Sequence, residues 1–584
     1  MRRRTLQYLG LLFVAVVAIH LYFFSPSSES DSPHLSDWDN IDEILAPEPQ
    51  RGLSADPHRR DAIVASFQYA WSAYERDAMG SDEYHPISHR GTNLSHSGGI
   101  GYTVVDAIDT MLLMGLHQEY SRASDWVRNS LSFDRDGRNK VFNTFETTIR
   151  VLGGLLSAHH LSSDDMYLRH AVDLADRMLP AFDTPSGIPF TSIDLAARAG
   201  IPDAANHIST AEATTLQLEF RDLAQLTKNS DYWYKAEKVM SVVNDALLPN
   251  HLAPISMDAN GGSFLQSDIR LGSRGDSYYE YLLKQYLQTA SSILNHQLIL
   301  IPHMCSQDQT ERVYLKMYED AMQGIHDNLV QKTATKKLTY IAELQPRGGE
   351  WRTNWLLHHK QDHLVCFLAG SLMLGATTTG ARVRGTVSVP PRMEELTKAG
   401  QRDWKTGVEL LEGCMATHQT ATGLSPEIVQ FQPSPDQPER DWYIKGSKPG
   451  GPASYDARYM LRPETVESLF LAWRLTGDKR YRDYAWGIFE SIEKHCRLPD
   501  GGYATVLDVD TVPVRHDDKQ ETFFLVGSAF SLLHVMHIPT SETLKYLFLV
   551  FADEAVLPLD GYVLNTEAHP LPIFRPSIQP LFTL

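Results

Sequence analysis

Acidic residues stand in apolar or aromatic surroundings at four places in this chain. Glu146 lies in Phe142-Asn-Thr-Phe-Glu-Thr-Thr-Ile-Arg150, with Arg150 one helical turn further on. Glu464 and Glu467 are three apart in Leu461-Arg-Pro-Glu-Thr-Val-Glu-Ser-Leu-Phe470, Asp106 and Asp109 have the same spacing in Val104-Val-Asp-Ala-Ile-Asp-Thr110, and Asp276 follows the tight loop Leu271-Gly-Ser-Arg-Gly275. Burying a carboxylate is costly unless it is paired, metal-bound or catalytic. Taken singly, each site reads equally as a helix cap or a surface ion pair, but four of them in one helical domain point to a carboxylate-lined cavity. Such a cavity suits glycoside hydrolysis, in which one carboxyl protonates the leaving oxygen and another activates water. Aromatic residues beside these acids, among them Tyr278, Tyr279, Phe523 and Phe524, would stack on sugar rings. Asn565-Thr-Glu-Ala-His-Pro570 is rich in hard oxygen donors of the kind that bind Ca²⁺, although it has no EF-hand spacing. No Gly-rich phosphate loop, zinc cluster or Ser-His-Asp arrangement stands out.

The elements that must position these acids are helices. Apolar residues recur at i, i+3, i+4 and i+7 over Arg60 to Ala78, Val104 to Leu116, Phe145 to Leu161, Tyr167 to Leu179, Ala211 to Leu226 and Tyr232 to Leu247, with few competing strand patterns. A weak repeat, Asp164-x-x-Tyr167-x-x-x-Ala171, Asn229-x-x-Tyr232-x-x-x-Ala236 and Asp478-x-x-Tyr481-x-x-x-Ala485, follows a Leu-rich helix each time. Asp or Asn would cap the second helix, and Tyr and Ala four apart would share its buried face. The repeated unit is a helical hairpin, and its irregular spacing favours a closed ring of hairpins over an open solenoid.

Composition bounds the partners. With 584 residues, 42% of them hydrophobic, and a formal charge of -19, the chain can bury a large core and lacks the basic balance of a nucleic-acid binder. Arg2, Arg3 and Arg4 precede an apolar run from Leu6 to Phe24, long enough to cross a hydrocarbon core of about 30 Å, with no small-x-small cleavage site after it. The expectation is a type II anchor: residues 1–5 cytoplasmic, 6–24 spanning, 25–59 a polar lumenal stem and 60–584 the folded domain. The sequon Asn93-Leu-Ser95 agrees with a lumenal location, where the four cysteines would permit one bridge.

Taken together, VDAIDTMLLMGL, FETTIRVLGGLLSAHHLS, GSRGDSYYEYLLKQYL, DHLVCFLAGSLMLG, GLSPEIV, LRPETVESLFLAWRLTGD and LNTEAHPL resemble, in order, the class I α-1,2-mannosidases of glycoside hydrolase family 47. The resemblance runs from about Arg60 to the end of the chain. It implies an all-α fold, an (αα)7 barrel with a small C-terminal β-hairpin plug, and inverting, Ca²⁺-dependent trimming of α-1,2-linked mannose from high-mannose N-glycans. It further implies that Glu146, Asp276 and Glu464 are the catalytic carboxylates, with Glu464 as general base and Glu146 or Asp276 as general acid. Thr566 matches the calcium ligand. Arg150, Asp362, His363, Arg462, Glu467, Phe523, Glu542 and Glu567 match positions that line the sugar site or hold calcium waters. Cys366 and Cys414 match the family disulfide, leaving Cys305 and Cys496 free.

Arg274 resembles the residue found before the catalytic Asp in the endoplasmic-reticulum members, where Golgi-type relatives carry a smaller or apolar one. The resemblance therefore implies conversion of a nine-mannose glycan to the eight-mannose B isomer by a monomer in the endoplasmic-reticulum membrane, with the early Golgi as the alternative location. The alternative is a catalytically impaired, mannose-binding quality-control or degradation factor on the same fold. The chain departs from the family pattern at 290–307 and 526–540, two apolar segments that interrupt expected helices. Both read as unspliced intron. Sequencing the mature transcript should find both absent, and recovering both would refute that reading.

Overall fold

The computed structural model describes residues 53–96, 98–134, 141–203, 206–289, 311–349, 351–382, 387–432, 437–446, 451–520 and 542–584. The anchor 6–24, the stem up to residue 52, Cys305, Phe523, Phe524 and both suspected insertions lie outside the described residues. Among those described, no helix is long and apolar enough to cross a membrane.

Seven helical hairpins follow one another around a ring. They pair Tyr102–Met114 with His117–Ser130, Gly153–Ser162 with Asp165–Met178, Gln217–Thr227 with Ser230–Ala246, Asp276–Thr289 with Arg312–Asn328, Phe367–Thr377 with Lys398–Thr417, and Glu464–Thr476 with Lys479–His495. The last helix, Thr543–Phe551, pairs with the first, Pro57–Ala78, so the two ends of the domain complete the seventh hairpin. The first member of each pair lies inside. Tyr102–Met114 is buried along almost its whole length, whereas its outer partner buries only Ala123, Ser124 and Val127. An inner helix that is apolar all round and an outer one with a single apolar stripe are what a two-layer ring requires. The structure is thus the (αα)7 barrel that the motifs implied.

The repeat noticed in the sequence is the inner-to-outer turn. Ser163, Lys228 and Gly477 take left-handed conformations, with φ of 59°, 61° and 69°, and end the inner helices. The next residue caps the outer helix: Asp164 accepts from Met166 N, Asn229 from Asp231 N and Asp478 from Arg480 N. Tyr167, Tyr232 and Tyr481, with Ala171, Ala236 and Ala485, are buried as the pattern predicts.

Two readings need correction. The helix expected over Ala211 to Leu226 is two, Thr210–Thr214 and Gln217–Thr227, broken where Leu216 N bonds to the Gln217 side chain and Thr215 Oγ1 to Ser277 Oγ. Little in the sequence signals the sixteen short strands found among the described residues, paired in seven two- or three-stranded ribbons. All but the last of these ribbons lie between helical hairpins; their strands are two to four residues long, too short for a period-2 pattern to register. The expected plug is one of them. Tyr562–Leu564 pairs antiparallel with Pro570–Pro572, and the hairpin packs on inner helices Asp276–Thr289, Gly153–Ser162 and Gln217–Thr227.

The disulfide Cys366–Cys414 ties an inner helix start to its outer partner, and Cys496 is free and buried. Arg221 is buried where the fourth hairpin begins and resumes. Its Nη2 reaches Thr289 Oγ1 at 3.4 Å and Glu311 Oε2 at 2.9 Å, and its guanidinium covers the Trp233 and Tyr314 rings. Both flanks of 290–310 are therefore held by one guanidinium. Deleting 290–307 should leave the thermal melting temperature unchanged or higher, as read by circular dichroism; a drop of more than about 5 °C would show that the segment contributes to the core.

Candidate active site

Three of the inner helices begin at the same end of the barrel with an acid in the first turn, and the plug brings its turn up between them. Asp276 and Glu464 are each the first residue of their helices, and Glu467 lies one turn beyond Glu464. A carboxylate there is favoured by the free N–H groups and the dipole. Asp276 Oδ1 accepts from Ser277 N at 2.9 Å. Glu146 ends the short turn Thr144–Glu146, where Asn143 Oδ1 caps its N–H, and a six-residue π-helical stretch, Thr147–Leu152, follows. Phe145 to Leu161 is thus not one regular helix; π-turns of this kind are characteristic of functional sites. Asp276, Glu280, Glu464, Glu467, Glu542 and Glu567 line one cavity, together with Thr566, Phe145 and Phe367.

Counterions come from the π-helical stretch, from the helix Asp276–Thr289 and from the loop just before Glu464. Arg150 is fully buried: its Nε donates to Glu146 Oε2 at 2.6 Å, and its Nη1 lies 3.4 Å from Glu567 Oε2 and 3.7 Å from Asp106 Oδ2. Arg462 is held by both oxygens of Glu427 and presents Nη1 to Glu464 Oε1 at 3.6 Å. Lys284 pairs with Glu280 and stands 3.4 Å from Glu467 Oε1. His363 donates to or accepts from Thr465 Oγ1 at 3.0 Å, with Nε2 3.9 Å from Glu464; burial holds its pKa well below the usual histidine range.

These cations do not balance the acids. Burial pushes Asp276 up to about 7, Glu464 to about 8 and Glu467 to about 7, and raises Glu567 well above the carboxylate range. Neither Glu464 oxygen nor Glu567 Oε1 has a hydrogen-bond partner among the described residues. Among those residues no three acids or histidines converge to chelate a metal directly. The donor set nevertheless suits a hard cation bound through Thr566 and water. Thr566 Oγ1 donates its proton to Glu280 Oε2 at 2.8 Å, which leaves the hydroxyl lone pairs and the backbone carbonyl for a metal.

At the rim, Arg274 is half-buried in a left-handed conformation, φ 74°, and its carbonyl accepts from Ala211 N at 3.0 Å. Burial lowers its pKa, opposed by the charge of Glu212. Asp362 Oδ2 accepts from Ser273 N at 3.1 Å, and Oδ1 lies 2.6 Å from Lys360. Burial alone would raise this carboxyl, but Lys360 and Arg270 hold it below its ordinary value. A side chain at Gly272 would collide with Asp362, its Cβ only 2.2 Å from Oδ2, so the loop needs glycine there.

Of the expected site residues, Asp276, Glu464, Glu467, Glu542, Thr566 and Glu567 line one cavity; Arg150 joins Glu146 to Glu567, and His363 and Arg462 stand beside Glu464. Arg274 and Asp362 belong to the neighbouring loop and are not among the lining residues, and Phe523 lies outside the described residues. The stacking expected of Tyr278 and Tyr279 does not occur. They are 0% and 1% exposed, part of the wall behind Asp276. Sequence reasoning missed Glu212, Glu280, Lys284 and Glu427. Glu212 is buried and pushed up to about 7 by burial and then by the charge of Glu146. It followed Ser209 with capping-box spacing, which hid it, although its place in Ala-Glu-Ala was the same signal used for the other acids.

Residues 66–573 match glycosyl hydrolase family 47, and the chain belongs to that family. It is 38% identical to the endoplasmic reticulum mannosyl-oligosaccharide 1,2-alpha-mannosidase of Schizosaccharomyces pombe, over 98% of this chain and 98% of the relative. It is 39% identical to mannosyl-oligosaccharide 1,2-alpha-mannosidase MNS3 of Arabidopsis thaliana, over 88% of this chain and 79% of that one. Among solved structures, the alpha-1,2-mannosidase from Trichoderma reesei superposes with a TM-score of 0.70 at 27% identity, covering 89% of this chain and all of the other.

The raised carboxyls fix a sign. Their folded values exceed the unfolded ones, near 4, so the folded state binds more protons between about pH 4 and 8 and loses stability as pH rises through that window. In chelator, the protein should unfold at lower denaturant at pH 8 than at pH 5, by on the order of 2 kcal/mol or more. Equal midpoints would show that the acids are already compensated.

Proposed function

We propose that this protein hydrolyses terminal α-1,2-linked mannose in high-mannose N-glycans with inversion, converting the nine-mannose glycan to the eight-mannose B isomer. The observation that carries this reading is the cavity in which Asp276, Glu464 and Thr566 meet beneath the Arg274 loop. Glu464 takes a proton from water as its oxygen bonds to the anomeric carbon; the bond from that carbon to the bridging oxygen breaks, and the leaving hydroxyl receives a proton from Asp276, or from Glu146 through a water. Glu464 has to be ionised for this. Burial works against that, while the Arg462 guanidinium favours it. Phe145 and Phe367 form apolar wall on which a sugar ring packs. Ca²⁺ held by Thr566, with Glu280, Glu467, Glu542 and Glu567 around its waters, would orient sugar hydroxyls and polarise water.

Arg274 faces the branch. Its guanidinium offers five donors in a rigid fork, and the left-handed backbone together with the bond from Ala211 fixes the loop that carries it. The catalytic domain is carried as a lumenal monomer by the anchor 6–24 in the endoplasmic-reticulum membrane. The curated relatives named as endoplasmic-reticulum enzymes support that location. The impaired, lectin-like alternative is not favoured, since Glu146, Asp276, Glu464 and Thr566 are all present and all at the cavity or bonded to its wall.

Glu464→Gln should lower kcat by about 10²- to 10⁴-fold on a nine-mannose glycan while binding persists, and chelation should abolish mannose release. Release by Glu464→Gln at the wild-type rate would remove the base assignment. An α-mannosyl fluoride needs no proton donor, so Asp276→Asn and Glu146→Gln should separate on it: the acid variant retains turnover and the other loses it. Arg274→Leu should broaden the products beyond the B isomer; an unchanged isomer pattern would overturn the branch reading.

A further inference from the structure

The catalytic reading leaves His569 unused, yet it is among the most constrained side chains in the molecule. It is fully buried, with Nε2 2.7 Å from Asp106 Oδ1 and Nδ1 2.7 Å from Asp109 Oδ2. An imidazolium can donate from both ring nitrogens, which suits a ring placed between two carboxylates. Asp109 is also bound by Lys545, Nζ to Oδ1 2.8 Å, and by Ser157 Oγ at 2.8 Å. Lys545 reaches on to the carbonyl of Ala568 at 3.0 Å. Two inner helices, Tyr102–Met114 and Thr543–Phe551, thereby grip the turn of the plug from both sides.

That turn is Asn565 to His569, and its own bonds do not place it in the barrel. Ala568 is left-handed, φ 55°, a conformation that is unfavourable for a residue with a Cβ. Within the turn, Asn565 Oδ1 accepts from Glu567 N and His569 N, both at 2.8 Å, which fixes its curl but not its position in the barrel. Its position is set from outside, by His569 on Asp106 and Asp109, by Lys545 on Ala568 and by Asn565 Nδ2 on Ile149 O and Glu219. Thr566 and Glu567, the members that face the cavity, lie between these anchors. Asp106 touches both sides of the matter, because its other oxygen faces Arg150, the guanidinium that holds Glu146 and Glu567.

We propose that His569, clasped between Asp106 and Asp109, is a positioning residue that sets the Thr566 turn for a divalent cation and steadies Arg150 against Glu146. This rests on the reading of Thr566 as the calcium ligand. It touches neither sugar nor metal; it works through the turn and through Asp106. Replacing it with an uncharged side chain removes the link from the turn to two buried carboxylates, so the turn loosens and the cation loses its preformed ligand.

The test is calcium binding to the full chain by titration calorimetry, with circular dichroism to establish the fold and glycan trimming measured across calcium concentrations. His569→Gln should weaken calcium binding by at least 10-fold and lower trimming at limiting calcium, with much of kcat returning at saturating calcium. Should that variant fail to fold, Asp109→Asn, which keeps the side-chain shape, should show the same loss and the same recovery. Glu146→Gln, which leaves the clasp intact, should bind calcium as the wild type does. Unchanged calcium affinity in a folded His569→Gln or Asp109→Asn protein would overturn the proposal, whether or not trimming is impaired. Absence of calcium binding in the wild type would instead remove the metal reading on which it stands, a result the calorimetry distinguishes.

Discussion

Six carboxyl groups share one cavity, and keeping them together out of water is the constraint on which the rest of the structure depends. Isolated, each would cost several kcal/mol to bury in its ionised form. The barrel meets part of this with three cations: Arg150 for Glu146 and Glu567, Lys284 for Glu280 and Glu467, Arg462 for Glu464. The helix starts add their dipoles at Asp276 and Glu464. Even so, the acids outnumber the cations, and the surplus appears as carboxyls driven toward neutral pH. A site in this state is poised for proton transfer, which glycoside hydrolysis requires.

The backbone is strained at three places around that cavity. Arg274, Leu461 and Ala568 are non-glycine residues with φ of 74°, 67° and 55°, standing before Asp276, before Glu464 and after Thr566. In each case a donor from another element grips the strained residue's own carbonyl: Ala211 N on Arg274, Thr543 Oγ1 on Leu461 and Lys545 Nζ on Ala568. Strain of this kind persists only where the surroundings over-determine it. The site is thus held because each loop is tied to a neighbouring element.

Much of this was legible in the chain. The hairpin repeat showed through because its turn is local: a left-handed residue, an Asp or Asn cap, then Tyr and Ala on one face. The acids at helix starts showed through because a carboxylate amid apolar residues is conspicuous. Glu212 was hidden by looking like a cap, and Glu427 by lying in a loop whose partner, Arg462, is 35 residues away. Tyr278 and Tyr279 misled because an aromatic side chain reads alike whether it faces a ligand or the core.

The sequence by itself determined the hairpins, their closed arrangement and the acids that could do chemistry, since capping, periodicity and charge in an apolar setting act over a few residues. Only the tertiary structure decided which cation serves which acid, that Asp106 and Asp109 hold His569 rather than line the cavity, and where the Thr566 turn sits. Those pairings join side chains as far apart as Asp109 and His569, 460 residues along the chain. Which partner a buried charge finds is settled by the closing of the ring, because no local pattern encodes what will lie across it.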